Sequence, residues 1–155
     1  MIIRCEGYEL LLSVQRVTSA SVEVDGNIVG SIGLGLLILV CAMSDDNFQT
    51  CEKVANKISK IRLFNDEFNK MNKSIIDIGG SVLMVSQFTL AANTKRGNRP
   101  DFSNALKPRK AKTIFDHLVK QTQSKNIPTE TGIFGSHMKL RIVNDGPVTI
   151  PMEFR

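Results

Sequence analysis

The run Leu34-Gly35-Leu36-Leu37-Ile38-Leu39-Val40-Cys41-Ala42-Met43 constrains this chain more than any other feature. It is the longest apolar stretch in 155 residues. A membrane-spanning helix needs about 20 apolar residues, so the run is too short to cross a bilayer. Leu36 to Met43 reads instead as a buried central strand. A chain of this length fits one compact domain around one sizeable core. The composition, 42% hydrophobic and 23% charged, excludes disordered and fibrous classes.

Other elements follow from periodicity. Leu10 to Val17 reads as a strand, and Ser21-Val22-Glu23-Val24 alternates as a half-buried strand does. Asp25-Gly26 before Ile28 to Ile32 is a hairpin signal. Ser44-Asp45-Asp46 reads as a helix start, and Phe48, Cys51, Ala55 and Ile58 make one apolar stripe. Asn65 to Gly80 is turn-rich, and Ser81 to Ser86 resumes a strand. Ala91 to Ser103 is a polar loop. Pro108 then opens a second helix with Ala111, Ile114, Phe115, Leu118 and Val119 inward. Lys139 to Val143 and Val148 to Phe154 read as short terminal strands split by Asn144-Asp145-Gly146-Pro147. Strands outnumber helices and come consecutively, which implies an α+β fold with a mixed, largely antiparallel sheet and two main covering helices.

The three cysteines, Cys5, Cys41 and Cys51, form no CxxC pair or Cys/His cluster. They read as reduced thiols in a cytosolic protein. The first seven residues lack the apolar stretch of a signal peptide, so the cytoplasm is the expected location.

The chemical inventory is sparse. His117 and His137 are the only histidines, and both read as structural. No zinc spacing, phosphate loop or GxSxG elbow is present, and no carboxylate pair suggests acid/base work. An enzyme built from these residues would rely on backbone donors, positioning and groups of its substrate.

Three segments remain. Ser86-Gln87-Phe88-Thr89-Leu90 joins a strand to a polar loop, where site residues often lie. On spacing alone it reads as a strand end with Phe88 and Leu90 in the core. Asn144 to Thr149 reads as a tight turn, although a Gly–Pro turn can also aim carbonyls at a ligand. Lys95, Arg96, Arg99, Lys107, Arg109, Lys110 and Lys112 crowd one window with Asp101 as its only acid. That window reads equally as solvated surface or as a phosphate-binding face. The formal charge of +5 permits an anionic partner.

Taken together, SQFTL at 86–90, KRGNRPDFS at 95–103, FGSHM at 134–138 and NDGPVT at 144–149 resemble the D-aminoacyl-tRNA deacylases. QRVTSASVEVDG at 15–26 and KMNKSIIDIGG at 70–80 also fit that family. The resemblance runs from about Leu11 to the C-terminus. It implies a homodimer with no metal and no cofactor, on a barrel-like α+β fold. It implies hydrolysis of D-aminoacyl-tRNA, with glycyl-tRNA mischarged on tRNA(Ala) as a further candidate substrate.

By the same resemblance, Ser86 and Gln87 shape a pocket for the aminoacylated adenosine, and the Phe88 N–H is an oxyanion donor. Thr89, with no base nearby in sequence, is a positioning residue rather than a nucleophile. Gly146 and Pro147 match a Gly–cis-Pro motif that enters the partner subunit's site and captures the α-amino group. Asn144 opens that segment, Arg16 orients it and Met138 packs near it. Lys95, Arg96 and Arg99 are the expected tRNA contacts, with neither DNA nor membrane as a partner. Residues 1–9 read as an N-terminal extension and residues 10–155 as one deacylase domain. The alternative is a nucleic-acid-binding module on the same fold, without catalysis.

Overall fold

The computed structural model describes residues 7–43 and 48–155. Strand β1 (Leu10–Val24) organises the sheet. It is one strand of 15 residues where the sequence suggests two. The exposed pair Thr18-Ser19 hides the continuity, while Val17, Ala20 and Val22 beside it are buried. β2 (Asn27–Ile32) returns antiparallel along the second half of β1. Asp25 and Gly26 of the intervening turn both have positive φ, as the hairpin signal requires. β3 (Gly35–Ala42) pairs with the first half of β1, so β2 and β3 lie end to end along one edge.

Helix α1 spans Phe48–Lys60, and its expected start at Ser44-Asp45-Asp46 lies outside the described residues. Cys51, Ala55 and Ile58 are buried as their spacing predicts. Phe48 is not: it is exposed and lies against the His117 ring, with centroids 4.2 Å apart. The turn-rich stretch holds a small hairpin, β4 (Phe64–Asn65) with β5 (Met71–Lys73). β6 (Ser81–Ser86) runs parallel to β3.

Helix α2 (Pro108–Gln123) opens on its proline and buries Ile114, Phe115 and Leu118. β7 (Thr129–Thr131) pairs parallel with β6. The sequence did not suggest β7, because three polar residues carry no alternation. The chain ends in β8 (Lys139–Phe154), one continuous strand antiparallel to β1. The expected turn at 144–147 is therefore an irregularity inside a strand, not a break between two.

The sheet has two buried faces. Val14, Ile38, Val40 and Met84 pack against Val54, Ile58, Ile114 and Leu118 of the helices. Truncating Leu118 to Ala there would cost about 2–5 kcal/mol. Val17, Val22, Ile32, Leu37, Leu83 and Val85 fill the inside of the curl. The curl nearly closes where β2 meets β7. A Cβ at Gly30 would lie 2.6 Å from the Thr131 carbonyl oxygen, so only glycine permits that approach. The result is the mixed α+β, barrel-like fold with two covering helices.

Candidate active site

β3 and β6 end side by side, with Val40 opposite Ser86. The Gln87 N–H donates to the Val40 carbonyl at 2.7 Å, and Phe88–Ala91 then forms a 3-10 turn. Beside this turn lies a cleft of about 630 Å³, a size suited to a small organic group. Ser86 and Phe88 meet Phe102, Phe134, Ser136 and Met138 in its lining. Three segments distant in sequence thus converge on one cavity.

Phe88 is 57% exposed, which overturns its reading as a core residue. Its ring meets Phe102 edge to face, with centroids 5.2 Å apart. Phe88 is the first residue of the turn, where a backbone N–H has no partner within the turn. From the floor, the Cys41 thiol donates to the Phe88 carbonyl at 3.6 Å. Gln87 and Thr89 are not in the cleft lining, and Gln87 Nε2 donates to Thr89 Oγ1 at 2.7 Å.

A second locus forms around Arg16. Gln15 pairs with Thr149 and Val17 with Asn144. Arg16 alone therefore faces Asp145, Gly146, Pro147 and Val148, which bulge from β8. The Gly146–Pro147 peptide is cis, and both residues are exposed. Asn144 ties the base of the bulge: its Oδ1 accepts from the Val148 N–H at 2.8 Å, and its Nδ2 donates to Thr149 Oγ1 at 3.0 Å. Arg16 is buried and donates through Nε to the Asp145 carbonyl at 3.0 Å. Its Nη1 donates to the Leu63 carbonyl at 2.8 Å and to Asn65 Oδ1 at 3.4 Å.

Gly146 has φ +137°, and a Cβ there would lie 2.8 Å from Val148 Cγ2. Next to Asn65, backbone N–H bonds from Lys70, then the Asn72 amide and the Phe68 N–H, hold the Asp66 carboxyl below its ordinary range. Gly146 and Pro147 are not among the residues lining the cleft of their own chain.

The basic window is pinched where Asn93 and Asp101 exchange backbone hydrogen bonds of 2.7 and 2.9 Å. Lys95 and Arg96 flank a small hollow there, and Arg99 is exposed. Lys112 is partly occupied by Asp116, 2.6 Å away. Phe102, Phe134 and Cys41 also line the cleft, and the sequence reading did not single them out. The available signal for Phe102 was an aromatic ring inside an otherwise polar loop. Among the described residues, no three His, Cys, Asp or Glu side chains converge as a metal-holding group. No helix among them is long and apolar enough to cross a membrane.

The chain superposes with a TM-score of 0.87 on the solved structure of c-Myc DNA Unwinding Element Binding Protein, at 37% identity over 94% of this chain and 99% of that one. It shares its fold with a probable eukaryotic D-amino acid tRNA deacylase, at a TM-score of 0.82, 14% identity and the same coverage. The chain belongs to the D-Tyr-tRNA(Tyr) deacylase family, whose model matches residues 13–153. It is 51% identical to the D-aminoacyl-tRNA deacylase of Ruegeria pomeroyi over 140 residues, covering 90% of this chain and 97% of that one. It is 48% identical to the same enzyme of Thermomicrobium roseum, covering 90% and 91%.

Proposed function

We propose that this chain hydrolyses the ester of D-aminoacyl-tRNA, releasing the free D-amino acid and tRNA. The observation that carries this reading is its family membership, with 51% identity to a D-aminoacyl-tRNA deacylase across 90% of the chain. The site supports the same chemistry. Acyl transfer needs a donor aimed at the developing oxyanion. The Phe88 N–H, at the start of the turn beside the cleft, is that donor. One such donor contributes about 2.7–4 kcal/mol to the transition state.

The cleft takes the aminoacylated adenosine, with Ser86 at its wall and the Gln87–Thr89 pair fixing the turn. Thr89 positions the turn rather than attacking. Its hydroxyl accepts from an amide, which cannot take its proton. The ribose 2′-hydroxyl of the substrate assists the attacking water. Gly146 and Pro147 enter the partner's cleft in a homodimer and capture the α-amino group with their carbonyls. An L side chain would then strike backbone, whereas a D side chain or the hydrogen of glycine would not. Two features support this division. The bulge does not line its own cleft, and Arg16 and Asn144 hold it in one shape. Lys95, Arg96 and Arg99 contact tRNA phosphates, and the enzyme acts in the cytoplasm without metal or cofactor.

Deacylation of matched D-Tyr-tRNA and L-Tyr-tRNA tests the reading. Loss of the D-ester alone is expected. Retention of both esters, with tRNA still bound, would replace it with a nucleic-acid-binding module. The neighbour described as a DNA unwinding element binding protein favours that second reading.

A further inference from the structure

Residues 132–138 form one wall of the cleft, contributing Phe134, Gly135, Ser136 and Met138. The wall is closed at its neck by its two ends. The Gly132 N–H donates to the Met84 carbonyl of β6 at 3.4 Å. A Cβ at Gly132 would sit 2.5 Å from Met138 Sδ and 3.4 Å from Val22 Cγ2. The backbone of Gly132 is not in the left-handed region, so alanine could adopt its conformation. What excludes a side chain is the approach of Met138. Val22 is fully buried in the curl and cannot yield, whereas Met138 ends in a flexible thioether. The cleft is the open side towards which Met138 can be displaced.

We infer that Gly132 is a positioning residue that sets the substrate fit of the cleft by letting Met138 lie back against the barrel. The inference rests on the deacylase reading. A methyl at position 132 would push Met138 into the space of the aminoacylated adenosine and obstruct binding, while leaving the oxyanion turn intact.

The test compares wild type, Gly132→Ala, Met138→Ala and the double variant in D-Tyr-tRNA deacylation, with thermal unfolding as a folding check. Gly132→Ala should raise KM roughly tenfold, the scale of a one-methylene misfit in an apolar pocket. The kcat should change far less. In the Met138→Ala background the same substitution should add nothing, because the displaced atoms are gone. In methyl-labelled protein the Met138 methyl resonance should also move on Gly132→Ala. If Gly132→Ala does not fold, the double variant should fold and match Met138→Ala in KM. An unchanged KM, an equal loss in both backgrounds, an unmoved methyl resonance or an unfolded double variant would each overturn the inference. Absence of wild-type activity would instead sink the deacylase reading, and the methyl resonance would still report where Met138 lies.

Discussion

Arg16 Nε donates to the Asp145 carbonyl at 3.0 Å across a register break in which one residue of β1 faces four of β8. The same guanidinium reaches the Leu63 carbonyl at 2.8 Å. One buried side chain thus ties the β4 segment to the exposed Gly146-Pro147 bulge. Only a planar fork serves both acceptors. Arg16→Ala would leave the Leu63 carbonyl unsatisfied, costing about 1–3 kcal/mol of stability. Deacylation should fall on the order of 100-fold, the usual result of a small misplacement at a reacting centre. Arg16→Lys should recover little of it. Chemical denaturation and single-turnover assays check both effects.

Gly146→Ala should abolish most activity. With φ at +137° and Val148 Cγ2 2.8 Å from the added methyl, the substitution distorts the bulge itself. Backbone strain of this kind costs about 1–3 kcal/mol. Pro147→Ala tests the same segment without adding a group. Activity of Gly146→Ala near the wild-type level would remove the bulge from the mechanism.

Thr89→Val should leave kcat close to that of wild type, the outcome that the proposed positioning role of Thr89 requires. A loss of about 10⁶-fold, the scale seen when a catalytic nucleophile is removed, would reverse that assignment. Phe88→Ala keeps the backbone donor and loses the contact with Phe102, so its effect should fall on KM.

Much of this architecture is legible in the residues. The apolar run at Leu36–Met43, the Asp25-Gly26 hairpin and the Pro108 helix start each carry a local physical signal, and each is found in place. Three features were not legible. β7 is too short and polar to show alternation. β8 looked like two strands because Gly146-Pro147 reads as a turn unless the opposite strand is known. Phe88 looked like core because it continues the apolar pattern of β6, whereas the strand ends at Ser86 and the turn at Phe88–Ala91 carries its ring out to the cleft beside Phe102. The resemblance supplied candidate roles for Arg16 and Asn144. Their hydrogen bonds to the bulge depend on the pairing of β1 with β8, which no local pattern encodes.

The Asp66 carboxyl offers a pH handle. Its pKa is lowered in the folded chain, first by the Lys70 N–H and then by Asn72. A lowered folded pKa means that this contribution is present above the ordinary carboxylate range and is lost as pH falls through the folded value. The β4–β5 turn should therefore loosen on acidification below the ordinary range. Protection of the Lys70 amide, taken relative to the unstructured chain at the same pH, should fall there in wild type, and much less so in Asp66→Asn. An equal fall in both would contradict the assignment.

Cys51 should resist modification in the native state. Burial first, then the Glu9 carboxylate, pushes its thiol up to about 11. At pH 8 alkylation at this position should appear only on unfolding, read by mass spectrometry of the Cys51 peptide. Rapid native labelling would show that α1 is not packed as described.

Hydrolysis of D-Tyr-tRNA and L-Tyr-tRNA, measured side by side with and without a chelator, tests the central claim most directly. Rapid loss of the D-ester alone, unchanged by chelation, is the expected result. Equal loss of both esters would contradict the chiral site, chelator-sensitive loss would contradict its metal independence, and loss of neither would contradict the enzyme.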